Sequence, residues 1–278
     1  MTAVLALCGG LMWGVGDFFG GLASRRLAVV TVVVVSQAIG LTTLVLWVVL
    51  AGEQFPGVPE LLPAAAAGVT VLVGLGAFYR GLAIGAMGIV APISAAGPIV
   101  PLVVDAARGT TPAAVQWLGI ALIVLGVTTL SWERSGDGRG RVAAGTGLAI
   151  VAAMTFGLFY VGIDAGSDES GAWAVIAARA AAVVVGTVAA LVTSTSLRAP
   201  RALLPMLVLV GLVDTSANVL VAAATTYGAV GIVAVLSSLY PLVTIGLAWI
   251  VLDERLGLGK RISAVVALAG AALVATGS

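Results

Sequence analysis

Four charged residues stand deep inside apolar runs of this 278-residue chain: Asp17, Arg80, Arg179 and Asp214. A charge placed near the centre of a bilayer costs about 2.5–3.5 kcal/mol on insertion scales, so residues of this kind are kept for a reason. Two are acids and two are bases, and together they can neutralise one another. One reading is a pair of buried ion pairs that fix helix register. Buried pairs add little stability, because desolvation offsets much of their attraction. A substrate or proton pathway is the stronger reason to keep them. A carboxylate at Asp17 can alternate between a protonated form and one paired with Arg80 or Arg179, which would couple solute movement to protons. Either Arg can grip a carboxylate or phosphate with two parallel hydrogen bonds. Arg80 lies late in its apolar run, where its long side chain can also reach the interface.

Several uncharged residues fall into register with these four. Trp13 precedes Asp17 by four positions, so the two share a helix face. Asn218 follows Asp214 at the same spacing. Phe156 and Tyr160 repeat the Trp13/Asp17 spacing in the second half of the chain. Two such faces would make a pocket with apolar walls and a few polar contacts, the usual composition of a small-molecule site. For Trp13 and Phe156 the plainer reading is lipid contact or packing. Pro92, Pro98 and Pro101 in one run and Pro241 in another each remove a backbone donor. Carbonyls freed within a membrane must find partners or line a cavity. Ser94 and Ser237 supply nearby hydroxyls, and these segments read as a hinge or gate, or as static kinks. Ser36 and Gln37 read as interhelical glue or cavity lining.

The elements that must carry these side chains follow from composition. Charged residues make up 9% and apolar residues 61% of the chain, against roughly 25% charged in soluble domains; the mean hydropathy is +1.20. No soluble fold of this size hides so much apolar surface. About 20 apolar residues span the hydrocarbon core as a helix. Ten such runs are present: 2–23, 27–50, 61–84, 87–107, 112–132, 143–165, 172–193, 202–226, 230–252 and 260–276. The expected fold class is therefore an all-α integral membrane protein with ten transmembrane helices. Trp132 and Trp173 sit at span ends, where an indole rests in the headgroup layer. Arg25 and Arg26 follow the first run rather than precede it, the pattern of a retained helix and not of a cleaved signal. Loops after odd-numbered runs, with their flanks, carry ten Lys and Arg residues, and those after even-numbered runs carry only Arg108. The positive-inside rule then puts both termini outside.

The two halves of the chain resemble each other. Gly88-Ile-Val-Ala-Pro-Ile-Ser-Ala-Ala-Gly-Pro98 and Gly231-Ile-Val-Ala-Val-Leu-Ser-Ser-Leu-Tyr-Pro241 agree at six of eleven positions at an offset of 143. The same offset sets Trp13-Gly14 on Phe156-Gly157 and Asp17 on Tyr160. Five spans per half is an odd number, so the halves face opposite ways. Such inverted repeats recur in secondary transporters, with the substrate site near the midplane between them. The expected division is 1–132 and 143–278, joined by a polar linker at 133–142.

Residue types exclude other chemistry. The chain has no His and one Cys, Cys8, so His-ligated metal sites, internal disulfides and thiolate clusters are impossible. A net charge of +1 argues against a nucleic-acid partner. No GxxxxGK[ST], GxSxG or HExxH motif is present, and nothing implies a cofactor. An intramembrane aspartyl enzyme would need Asp17 and Asp214 facing each other. A channel would need a continuous polar stripe, and a non-transporting scaffold would not need four buried charges.

Trp13-Gly14, the run Tyr79-Arg80-Gly81-Leu82-Ala83-Ile84-Gly85 leading into Gly88–Ser94, and Leu239-Tyr240-Pro241 with Asp253-Glu254-Arg255 resemble the EamA-like transporters of the drug/metabolite transporter superfamily. The resemblance implies a secondary transporter, usually an exporter of small metabolites, amino acids or drugs, in a prokaryotic plasma (inner) membrane. It also implies a cavity lined by helices 1, 3, 4, 6, 8 and 9, which adds Tyr79 and Tyr240 to the candidate lining residues. Many family members carry a neutral polar residue where this chain has Asp17. The acidic residue at Glu254 has its first-half counterpart near Thr110 or Thr111, so the halves differ. The implied partners are a small-molecule substrate, the lipid bilayer and protons, and the chain would act as a monomer or homodimer.

Overall fold

The computed structural model describes residues 1–24, 26–84, 94, 96–131, 139–252 and 257–276. Among these it is helical, with no strand. Eleven α-helices follow in order: α1 (Thr2–Ser24), α2 (Val29–Ala51), α3 (Val58–Ile84), α4 (Ile99–Ala107), α5 (Ala114–Ser131), α6 (Arg139–Ala165), α7 (Gly171–Val192), α8 (Leu204–Thr225), α9 (Val230–Ser237), α10 (Tyr240–Leu252) and α11 (Leu258–Ala275). Among the described residues, six segments are long and apolar enough to cross a membrane: Thr2–Ser24, Val29–Ala51, Val58–Phe78, Gly145–Ala165, Gly171–Val192 and Arg201–Thr225. Ala114–Thr129, Val230–Thr244 and Arg261–Ala275 are apolar but shorter. Apolar side chains also point outward, among them Leu46, Leu50, Val184, Val188, Leu191 and Val265. An exterior of that kind suits lipid and not water.

The expected span 230–252 is not one helix. It breaks into α9 and α10 at Ser238 and Leu239, with the Leu242 N–H bonded to the Leu239 carbonyl at 2.9 Å. Pro241 is the second residue of α10, a position where a missing N–H costs nothing. Pro98 immediately precedes α4 in the same way, and Pro101 lies buried in the first turn of α4. These prolines open helices rather than bend them, which corrects the kink reading. Pro92 lies outside the described residues, as do Trp132 and Asp253–Arg255.

Helix ends are closed by local chemistry. The end of α2 is a Schellman motif: the Gly52 N–H donates to Val49 O at 3.3 Å and the Glu53 N–H to Val48 O at 3.1 Å, with Gly52 at φ 69°. This turn aims Glu53 at Ser170, the N-cap of α7. The Ser170 hydroxyl donates to Glu53 Oε2 at 2.9 Å and accepts from the Trp173 N–H at 3.3 Å.

The helices of the two halves interlock. α1 packs on α8, α9 and α10, whereas α6 packs on α3 and α4; α2 pairs with α7 and α5 with α11. Specific contacts exchange at the sequence offset of 143. The Ser94 hydroxyl reaches Ala149 O at 3.5 Å, and the Ser237 hydroxyl reaches Ala6 O at 3.2 Å. A Cβ at Gly14 would lie 2.5 Å from Tyr240 O, and one at Gly157 would lie 2.5 Å from Gly97 O. Backbones meet at both crossings only because the side chain is hydrogen, the usual device of packed membrane helices.

Gly14→Ala and Gly157→Ala are each expected to destabilise the fold by about 1–3 kcal/mol through overpacking against backbone. Gly147, whose Cβ position meets nothing within 4 Å, provides the control. Thermal unfolding in detergent should show lower midpoints for the first two variants and an unchanged or higher one for Gly147→Ala.

Candidate functional site

The site is built around the most deeply buried charge among the described residues. Arg179 lies near the middle of α7 with its side chain only 3% exposed. Its Nη2 donates to Asp214 Oδ2 of α8 at 2.8 Å, and its Nη1 donates to Gln37 Oε1 of α2. Gln37 Nε2 donates to the same Asp214 oxygen at 3.4 Å. Asn218, one turn further along α8, donates from Nδ2 to Asp214 O at 2.7 Å and to Asp214 Oδ1 at 3.4 Å. Three helices are thus tied by one polar node. Arg179 Nε is buried with no hydrogen-bond partner among the described residues.

The node forms one wall of a central cavity of about 170 Å³. Trp13, Phe156, Phe159, Tyr160 and Tyr240 supply aromatic surface, and Asp17, Gln37, Ser94, Arg179, Asp214, Asn218 and Ser238 supply polar groups. The Trp13 ring meets Tyr160 edge-on with centroids 5.8 Å apart and Phe159 at 6.2 Å, and Phe159 meets Tyr160 at 5.8 Å. Tilted and edge-to-face contacts of this kind hold rings firmly. Gly97 and Pro98, at the start of α4, close another side.

Asp17 stands apart from the node. It lines the cavity from α1, its side chain faces open space, and it forms no ion pair or hydrogen bond among the described residues. Of the two Arg partners expected for Asp17, Arg179 is paired with Asp214 here, and the Arg80 side chain lies outside the described residues. Asp17 and Asp214 make no hydrogen bond to each other, which an aspartyl dyad would require. Among the described residues no group of three or more His, Cys, Asp and Glu is placed to hold a metal ion.

Of the residues singled out in the sequence, Trp13, Asp17, Ser94, Phe156, Tyr160, Arg179, Asp214, Asn218, Tyr240 and Pro98 meet at this cavity. Ser237 does not: it is fully buried beside the cavity with its hydroxyl on Ala6 O. Tyr79 and Arg80 lie in α3, but their side chains are outside the described residues, as is that of Pro241. Phe159 was missed, although its spacing from Phe156 marks the same helix face. Gln37 proves to be both glue and lining.

The fold and sequence have relatives. A crystal structure with 14% sequence identity superposes with a TM-score of 0.82, covering 99% of this chain and 96% of that one, so the two share a fold. No curated protein matches the sequence significantly. The model of the EamA-like transporter family matches twice, over residues 1–132 and 143–276. Its two matches span nearly all of an apolar, multi-helix chain, and on that ground the protein belongs to the EamA-like transporter family of integral, multi-pass membrane proteins.

Proposed function

We propose that the chain is a secondary active exporter working by alternating access. In this reading it has ten spans in two inverted five-helix repeats, 1–132 and 143–278, joined by 133–142. Three features support the repeat: the exchanged Ser94/Ser237 contacts, the exchanged Gly14/Gly157 crossings, and the twofold family match. The breaks before α4 and α10 fall at matching positions and flank the cavity. The loop charges favour both termini outside the prokaryotic inner membrane. Asp214 is committed to Arg179 and Asn218, which disfavours the aspartyl-enzyme reading.

The observation that carries the proposal is the free carboxylate of Asp17 in an aromatic cavity whose other described charges are already matched. The Arg179 guanidinium is occupied by Asp214 and Gln37, so a purely anionic solute finds no free cation among the described lining residues. An amine on a small apolar or aromatic body fits better. The amine meets Asp17 and the rings of Trp13 and Tyr160, which favour cations over their faces. The cavity is close in size to one that takes a benzene-sized ligand. Asp17 then takes either the amine or a proton, and that competition couples export to protons. The substrate class is a small metabolite, amino acid or drug-like compound carrying an amine.

Cells making the protein should accumulate one class of amine-bearing compound outside, relative to an empty-vector control. Asp17→Asn at equal membrane level should lower that accumulation at least about tenfold, the effect expected when the charge partner of a bound solute is lost. Equal media from the protein and the vector would contradict export. Equal media from the protein and Asp17→Asn, both above the vector, would remove Asp17 from the mechanism.

Arg179 and Asp214 should behave differently. Arg179→Leu leaves Asp214 unpaired and is expected to destabilise the protein by about 3–5 kcal/mol, whereas Arg179→Leu with Asp214→Leu should be much milder. A double-mutant cycle on thermal unfolding in detergent checks this.

A further inference from the structure

The repeat makes the two ends of the cavity comparable residue by residue, and they are not in the same state. One end carries the N-terminus, the C-terminal ends of α4, α6 and α8 and the start of α9, for Thr2, Asp105, Thr110, Tyr227 and Ala229 line one recess there. On this face α6 is shut in: Tyr160 is 6% and Ile163 0% exposed. The matching residues of α1, at the offset of 143, are Asp17 and Gly20. Asp17 is exposed, and a Cβ at Gly20 would meet only Val210, at 3.8 Å. One turn beyond Asp17, a Cβ at Gly21 would meet nothing within 4 Å. Along α1, Thr2, Ala6, Gly9 and Gly10 are buried against α8, the α8–α9 segment and the end of α9, and burial continues at Gly14, Gly16, Phe18 and Ala23, while Asp17 and Gly21 between them are exposed.

Among the described residues two polar contacts join the halves at the closed end, one from Asp105 in α4 and one from Arg108 directly after it. Asp105, 5% exposed, accepts the Gly231 N–H on Oδ2 at 2.6 Å and so caps the first turn of α9. A carboxylate there satisfies an otherwise unpaired donor and matches the positive end of the helix. Gly231 is needed for this approach, since a Cβ would lie 2.7 Å from Leu102 Cδ2 and 2.8 Å from Asp105 Oδ2. Three residues on, directly after α4, Arg108 Nη1 donates to Asp164 Oδ2 of α6 at 2.9 Å. α4 belongs to the first half, and α6 and α9 belong to the second. The contacts therefore cross between the halves at the rim that must part if the cavity is to open there.

The repeat shows what would fasten the other end. The positions related to Asp105, Arg108 and Asp164 are Ala248, Val251 and Gly21. None of these can accept or donate through a side chain, so the two contacts have no counterpart at the repeat-related positions.

We propose that Asp105, Arg108 and Asp164 form a one-sided latch that holds the N-terminal face of the cavity shut and sets the resting state open to the opposite face. The latch rests on the alternating-access reading and adds a direction to it. The Arg108–Asp164 pair is half exposed on the Arg side, so it is a modest tie that thermal motion or a bound solute can release. The buried Asp105 cap is the firmer of the two.

Labelling by a membrane-impermeant maleimide tests this without any transport assay. In a Cys8→Ser background, single reporters are placed at the repeat-related positions, Ile163→Cys and Gly20→Cys. The parent should label readily at Gly20→Cys from the opposite face and little at Ile163→Cys from the N-terminal face. Arg108→Ala should raise Ile163→Cys labelling about fivefold, the shift that a tie at the upper end of partly exposed pairs can hold back. Asp105→Ala should raise it at least as much, and Arg108→Asp combined with Asp164→Arg should restore protection. Monodisperse elution in detergent confirms that each variant is folded. If both reporters label alike in the parent, the one-sided state and the access reading fall together. If the parent labels asymmetrically but neither single variant exposes Ile163→Cys, or the charge swap does not reverse the exposure, the latch alone is wrong.

Discussion

The constraint on which the site depends is the burial of one guanidinium. The Arg179 guanidinium is nearly sealed from the exterior near the middle of α7. An unmatched charge there would cost several kcal/mol. It must therefore be met by a carboxylate and further acceptors from whatever helices lie alongside. Asp214 comes from α8 and Gln37 from α2, and Asn218 steadies Asp214 in turn. The register of α2, α7 and α8 against one another follows from these contacts. So does the electrostatic character of the cavity, since the node uses up its own charges and leaves Asp17 as the unmatched group among the described residues.

The cavity itself comes from how the halves interlock. α1 is packed into the second half and α6 into the first, each through a glycine that admits a carbonyl from the start of a broken helix. The crossings at Gly14 and Gly157 flank the aromatic floor, where backbone approach brings Trp13 of α1 onto Phe159 and Tyr160 of α6. Asp17 on α1 and the polar node on α2, α7 and α8 line the same cavity beside those rings. Binding, coupling and the asymmetry of the two ends all use the same few crossings.

Much of this was legible in the sequence, and the rest has physical reasons for being hidden. Apolar length located the helices because a membrane demands runs of that length. The cost of intramembrane charge singled out Asp17, Arg179 and Asp214, and i, i+4 spacing added Trp13, Asn218, Phe156 and Tyr160. Which Arg meets which Asp was not legible, because pairing depends on helix neighbours and not on helix faces. The break at Ser238 and Leu239 hid inside an apolar run with no charge to interrupt it. The prolines pointed to it and were read as a hinge or gate or as static kinks, whereas Pro98 and Pro241 stand at the starts of helices. Asp105 and Asp164 escaped notice because they sit near helix ends, where a charge in sequence looks solvated. Only the fold shows Asp105 turned inward onto Gly231.

The central claim is that Asp17 is the one cavity carboxylate free to exchange a proton for a solute amine, while Asp214 serves the fold. Proton movement in proteoliposomes with the purified protein tests it most directly, using a lumenal pH dye and small aromatic amines supplied on one side. The account predicts proton flow opposite to the amine gradient with the unmodified protein, and none with Asp17→Asn. Amine-driven proton flow that persists in Asp17→Asn would contradict it, as would amine uptake that moves no protons in the unmodified protein.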